Sequence, residues 1–219
     1  MIVAIDGPAG AGKSTITRVL AEKLGFQLVD TGAMYRAVAY EAAASGVDLH
    51  DADQVAEIAR GLRFEFKFED GENVIYCNTR ALNQEIRSAE VSRNASVISA
   101  HPAVRRELVD QQRQVGRERS SVLEGRDIGT VVFPDAELKV FITAAPAVRA
   151  ERRVGQMREG GQKVDEAEVL RDIVERDRRD SEREIAPLKQ ADDAIGIDST
   201  EASVDEIVAT LCERISQLR

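Results

Sequence analysis

The sequence predicts an α/β fold built on a mostly parallel five-stranded sheet. Three observations predict it. Short apolar runs recur at Ile2–Ile5, Phe26–Val29, Val122-Leu123, Leu138–Ile142 and Ala194–Ile197, which is how strands buried on both faces read. Helical patterns separate most of these runs, and strands alternating with helices pair in parallel. Finally, 219 residues suit one domain of this class, large enough to bury a real core and carry small insertions.

The first strand, Ile2-Val3-Ala4-Ile5, leads into Gly7-Pro8-Ala9-Gly10-Ala11-Gly12-Lys13-Ser14. The octapeptide fits G-x-x-x-x-G-K-[ST], a loop that wraps nucleotide phosphates. Ile16, Val19, Leu20 and Leu24 follow at helical spacing, and Gly25 stands where a helix stops. An ordinary glycine-rich turn is the bland alternative, but strand, loop and helix come in the order the motif requires. They predict the three-layer P-loop fold and a bound nucleoside triphosphate. The candidate ATP-binding residues are Gly7, Pro8, Ala9, Gly10, Ala11, Gly12, Lys13, Ser14 and Thr15. Backbone N–H groups at a helix N-terminus favour an anion, Lys13 adds a cation between the outer phosphates, and Ser14 offers a hydroxyl to Mg²⁺.

Phe26–Val29 reads as the second strand, ending at Asp30-Thr31-Gly32. A helix is expected over Ala33–Ser45, with Met34, Val38 and Ala42 on one face and Gly46 as its stop. Val55–Leu62 reads as a further short helix, with Asp51 or Asp53 available as cap. The period then changes to two. Phe64, Phe66 and Phe68 alternate with charges, Asp70-Gly71 marks a turn, and Val74-Ile75-Tyr76 returns as a hairpin. This is an insertion in the β/α pattern. Its phenylalanines read as a core face rather than a base-stacking platform, because the alternating charges are mixed.

Helical patterns resume from about Ala89 to Arg117, and Val204–Leu218 closes the chain as an amphipathic helix. Between Arg149 and Arg183, nine arginines and Lys163 face ten Asp and Glu, so the stretch is locally neutral and mostly solvated helix faces. Gly155, Gly160 and Gly161 break it and suggest a mobile element, a lid that closes over a nucleotide.

Composition narrows the function. The hydrophobic fraction of 43% and charged fraction of 32% are those of a soluble globule. No apolar run approaches the ~18 to 20 residues a membrane span needs, and no signal peptide is apparent. Cys77 and Cys212 are far apart and unpatterned, as expected of free thiols in a reducing cytoplasm. A net charge of −9 argues against a general nucleic-acid binder. It leaves open a small anionic ligand held in a local basic cleft.

The chain has no N/T-K-x-D guanine reader and no D-x-x-G after a strand, which disfavours a GTPase switch. A short chain with a P-loop and scattered arginines suits a small-molecule kinase. Donor and acceptor are then both anions, so catalysis is positioning plus cations around the migrating group. Arginine fits that task because its planar fork grips phosphate bidentately and stays charged.

Four blocks make the prediction specific: Ile5-Asp6-Gly7-Pro8; Asp30-Thr31-Gly32-Ala33-Met34-Tyr35-Arg36; Gly125-Arg126-Asp127-Ile128-Gly129-Thr130-Val131-Val132-Phe133-Pro134; and Arg176-Asp177-Arg178-Arg179-Asp180 with Pro187-Leu188. Together they resemble the bacterial cytidylate (CMP) kinases, nucleoside monophosphate (NMP) kinases of the P-loop class. The resemblance runs from Met1 to the C-terminal helix and includes the inserted hairpin. It implies a core at 1–30, 118–148 and 184–219, an NMP-binding region at 31–117 and a lid with its following helix at 149–183.

The same resemblance implies transfer of the γ-phosphoryl of ATP to CMP and dCMP with Mg²⁺, in a cytoplasmic monomer that binds neither nucleic acid nor membrane. Arg36, Arg126 and Arg183 are implied at the acceptor phosphate and, with Lys13, in catalysis. Ser96, Arg176 and Asp180 are implied at the sugar, and Thr31, Arg105 and Asp127 at the base. Cytosine's amino donor and its N3 and O2 acceptors complement a carboxylate and a guanidinium, whereas uracil would leave Asp127 unpaired.

Blander roles stand beside these. Arg36 also reads as a surface cation, Ser96 as a small helical residue, Asp127 as an orienter of metal-bound water, and Asp30 as a helix cap, a group supporting the metal's ligands, or both. Arg106 adjoins Arg105, and any of Arg149, Arg152 and Arg153 is either a lid cation or a salt-bridge partner. His50 and His101 read as structural. The other functional readings are a P-loop kinase acting on UMP or another acceptor, and a regulatory nucleotide-binding module that transfers nothing.

Overall fold

A computed structural model describes residues 1–69, 71–161 and 163–218. The elements run β1 (Ile2–Asp6), α1 (Lys13–Leu24), β2 (Gln27–Asp30), α2 (Thr31–Ala44), α3 (Ala52–Gly61), β3 (Phe64–Glu69), β4 (Glu72–Cys77) and β5 (Arg80–Leu82). They continue with α4 (Ala89–Ile98), α5 (Pro102–Arg117), β6 (Ser121–Gly125), a π-helical turn (Ile128–Val132), β7 (Leu138–Thr143), α6 (Pro146–Glu159), α7 (Glu166–Glu182), β8 (Ile195–Asp198) and α8 (Val204–Gln217).

The five apolar runs are the five strands of one sheet, in the order β2-β6-β1-β7-β8. The fold is α/β as predicted. The chain divides into two compact units, residues 1–2 with 26–124 and residues 3–25 with 125–219.

In the first unit β2 pairs in parallel with β6, from Gln27 opposite Ser121 to Asp30 opposite Glu124. Val29, Met34, Val38, Ile98, Leu108, Val122 and Leu123 make its buried centre. The inserted hairpin is a three-stranded antiparallel sheet, β3-β4-β5. Its third strand follows Asn78 and Thr79, whose φ values of 47° and 73° reverse the chain without a glycine. No pattern in three residues of strand could announce β5. Asp70 of the expected turn lies outside the described residues; Gly71 takes a φ of 81°.

The phenylalanines are only partly a core face. Phe64 and Phe66 are buried, but Phe68, which pairs with Asn73 beside the hairpin turn, is 50% exposed.

The helical run from Ala89 is two helices. Pro102 starts α5 at its first turn, and a residue before proline is pushed out of the α region, which fixes the break. His101, at that break, lies 2.8 Å through Nε2 from the Leu49 carbonyl, a structural contact. Asp51, not Asp53, caps α3 by accepting from the Gln54 N–H.

In the second unit β1 pairs with β7 and β7 with β8, all parallel. Ile5, Ile16, Leu20, Ile142 and Leu211 are fully buried there, and α1 packs on α8. One expectation fails: Gly155 does not break the arginine-rich stretch, since α6 runs straight through it. A helical glycine costs about 1 kcal/mol. Burial of Ala150 and Val154 against Val169 and Ile173 of α7 outweighs that, at about 25 cal/mol per Å² of apolar surface. The break comes at Gly160 and Gly161. Among the described residues, no helix is long and apolar enough to cross a membrane.

Candidate active site

The phosphate loop lies in the second unit, between β1 and α1. Its start demands glycine: a Cβ on Gly7 would sit 2.0 Å from the Ile142 carbonyl oxygen. Gly12 precedes α1 in the left-handed region, at φ 83°, and supplies no side-chain cap; the first turn of α1 also carries no acid. By contrast α2, α3, α4, α7 and α8 are each capped by an Asp or Ser side chain, and the uncapped α5 and α6 each begin with a proline, which has no N–H to satisfy. The N-terminus of α1 is thus left for an anion, where N–H groups and dipole both favour one. Lys13 is buried, and its Nζ donates to the Gly7 and Pro8 carbonyls at 2.7 Å each. Ser14 and Thr15 are exposed.

One residue of the Ile5-Asp6-Gly7-Pro8 block has a role that the sequence does not announce. Asp6 ends β1, is 4% exposed, and accepts the N–H groups of Ile128 and Gly129 at 2.8 Å each. Those amides open the π-helical turn inside the Gly125–Pro134 block. Burial pushes the Asp6 carboxyl up to about 6; the two amides pull it down, Asp127 pushes it further up, and Lys13 pulls it down. An acid closing an otherwise apolar buried strand was the available signal.

Arg126 and Asp127 stand immediately before that turn. Arg126 donates from Nε to Asp180 Oδ2 at 2.9 Å, and Arg176 Nε lies 4.0 Å from the same oxygen. Burial raises the Asp180 carboxyl, but Arg126, Arg176 and Arg183 together hold it below the usual carboxylate range. The structure therefore gathers three predicted arginines, Arg126, Arg176 and Arg183, around the buried carboxylate of a fourth predicted residue, Asp180. The Leu188 N–H donates to the Asp180 carbonyl at 2.7 Å, which explains the Pro187-Leu188 block: it folds the chain back on the end of α7.

Of the lid candidates, Arg149 is buried. It donates to the Ala144 and Ala9 carbonyls at 2.9 and 3.0 Å and grips Asp177 with both terminal nitrogens. It thereby joins α7 to the phosphate loop. Arg152 donates to the Ser199 hydroxyl and carbonyl. Asp177 lies in the Arg176–Asp180 block but has no role announced by sequence, and nothing in the spacing singles out Ser199.

In the first unit, Asp30 is indeed a cap, accepting from the Ala33 N–H at 2.9 Å. Its other oxygen takes Arg36 Nη2 at 2.8 Å, so Arg36 is an oriented, half-buried guanidinium rather than a loose surface cation. Both line a shallow depression open to solvent, shared with Asn73, Asn83 and Arg87 from the insertion and its exit. Thr31 is buried and donates to the Glu124 carbonyl at 2.7 Å. Arg105 is buried whereas Arg106 is exposed, and the Arg105 guanidinium lies 6.0 Å from the Tyr35 ring centre. Ser96 is half-buried on α4. Among the described residues, no three His, Cys, Asp or Glu side chains cluster as a metal site.

Comparison with known proteins agrees with this arrangement. The family model described as cytidylate kinase matches residues 3–217. The cytidylate kinase of Clostridioides difficile (strain 630) is 43% identical, over 99% of this chain and 98% of its own. That of Geobacter sp. (strain M21) is 45% identical, over 99% and 95%. A bifunctional pantoate ligase/cytidylate kinase of Prochlorococcus marinus (strain MIT 9303) is 50% identical over 97% of this chain and 44% of that longer protein. The crystal structure of an uncharacterized protein from Eubacterium ventriosum ATCC 27560 shares the fold, with a TM-score of 0.55 at 15% identity over 99% of this chain and 98% of that one. With an open phosphate loop, arginine–carboxylate pairs and this match along nearly its whole length, the chain belongs to the cytidylate kinase family.

Proposed function

We propose that this protein transfers the γ-phosphoryl group of ATP to CMP and dCMP, giving ADP and CDP or dCDP. The observation that carries the reading is the family match over residues 3–217 on a chain whose phosphate loop ends at an uncapped helix N-terminus. Gly7 to Thr15 hold the ATP phosphates, with Lys13 moving from the loop carbonyls to the outer phosphates as they arrive. Arg36, Arg126 and Arg183 take the acceptor phosphate. Two of them are supported by what holds them: Asp30 orients Arg36 and Asp180 orients Arg126. A guanidinium aimed in advance loses less freedom on gripping phosphate.

Arg176, Asp180 and Ser96 serve the sugar, and Thr31, Arg105 and Asp127 the base. Burial of Asp127 and Arg105 supports a role in reading cytosine, because desolvated polar groups penalise the wrong base most. The acceptor oxygen is already ionised near neutral pH, so in-line attack needs no protein base, and the side chains hold charge and geometry.

Mg²⁺ is expected with the ATP. Magnesium sites typically take one or two protein oxygens and leave the rest to phosphates and water. The exposed Ser14 hydroxyl fits such a donor set. Bound there, the ion would neutralise the β- and γ-phosphates. Residues 31–117 act as the acceptor-binding region and 149–183 as the lid. The net charge of −9 argues against general nucleic-acid binding, and a cytoplasmic monomer is the expected form.

A coupled ADP-release assay with CMP, dCMP, UMP and AMP side by side tests the reading. Strong stimulation by CMP and dCMP is expected, with UMP and AMP far behind. Preference for UMP would move the chain to another acceptor, and slow ATP hydrolysis that no acceptor stimulates would make it a nucleotide-binding module.

A further inference from the structure

We infer that Asp6 is a positioning residue for the acceptor: through the Ile128 and Gly129 amides its carboxylate fixes the turn on which Arg126 and Asp127 stand. The inference rests on the acceptor roles proposed above for those two residues.

The geometry is specific. Both carboxylate oxygens are used, Oδ1 on Ile128 N–H and Oδ2 on Gly129 N–H, at 2.8 Å each. The two amides are consecutive and begin the π-helical turn Ile128–Val132. Wide turns of this kind are rare, costly relative to α-helix and concentrated at functional sites, so one needs an external anchor. Asp127, which precedes the turn, has φ −147° and ψ 26° and caps nothing with its side chain. The anchor is therefore Asp6, from a different strand.

A core position with no such duty would carry an apolar residue, because an ionised carboxylate out of water is expensive. Gly129 completes the arrangement. A Cβ there would lie 3.2 Å from the Lys139 side chain, which would have to give by a few tenths of an ångström, and 3.5 Å from Asp6 Oδ2, an ordinary contact.

Asp6→Asn keeps shape and one acceptor but turns an NH₂ group toward a backbone N–H. Gly129→Ala crowds the Lys139 side chain beside the same contact. Steady-state kinetics with CMP and binding of a non-hydrolysable ATP analogue are measured for both variants and the unaltered protein. The expected result is a rise of roughly tenfold or more in KM for CMP, about what one lost charge-assisted hydrogen bond produces, with analogue affinity changed less than about threefold.

Gly129→Ala reports on the contact even where Asp6→Asn does not fold. CMP kinetics within about twofold of the unaltered protein in a folded variant, or equal losses for CMP and the analogue, would overturn the inference. Absence of CMP turnover in the unaltered protein would instead fault the proposed function, so the two failures are told apart.

Discussion

Replacing Asp6 by Asn should remove a pH dependence of stability that the native residue imposes. The Asp6 carboxyl is buried, and it titrates at about 6 in the folded protein against an ordinary value of 3.8. Between those values the folded chain holds a proton that the unfolded chain has released. Its favourable contribution is complete below about pH 4 and is lost as pH rises through about 6. A gap of roughly two pH units at 1.36 kcal/mol each gives about 3 kcal/mol.

The native protein should therefore lose about that much stability, relative to Asp6→Asn, between pH 4 and pH 7. Equilibrium urea unfolding of both proteins across this range reads the difference. Carboxylates shifted the other way, such as Asp180, act alike in both proteins and cancel. A difference that stays flat within about 0.5 kcal/mol, or that runs in the opposite direction, would show that Asp6 is ionised at no cost and refute the reasoning.

Two other outcomes follow from the same contacts. Lys13→Ala should abolish acceptor-dependent ADP formation while costing only about 1 to 2 kcal/mol of stability, since two loop carbonyls lose a donor; ordinary turnover in the folded variant would remove the phosphate-loop assignment. Asp177→Ala leaves the buried Arg149 guanidinium without its carboxylate, which should cost about 3 kcal/mol or more. A thermal or urea unfolding loss under about 1 kcal/mol would mean that the pair is not what joins α7 to the phosphate loop.

Much of the site was legible because it is built from local rules. The phosphate loop is contiguous, and each of its constraints, glycine at close approach and a helix beginning at Lys13, is written in adjacent residues. The five sheet strands were legible because each is an apolar run between helices. The short strand β5, the split between α4 and α5 and the π-helical turn were not. The first is three residues long, the second turns on Pro102 inside a continuing helical pattern, and the third depends on an aspartate 122 residues away. Gly155 misled because a helix breaker's local cost is small beside the packing of α6 on α7.

By itself, then, the chain's order of residues determined the α/β class, the phosphate loop and, through its four blocks, the family. Tertiary structure decided the company those residues keep: Asp30 on Arg36, Asp180 among Arg126, Arg176 and Arg183, Asp177 on Arg149, and Asp6 under the turn at Ile128. Side-chain charge is a property of one residue, but its orientation and desolvation depend on partners that folding brings from far along the chain.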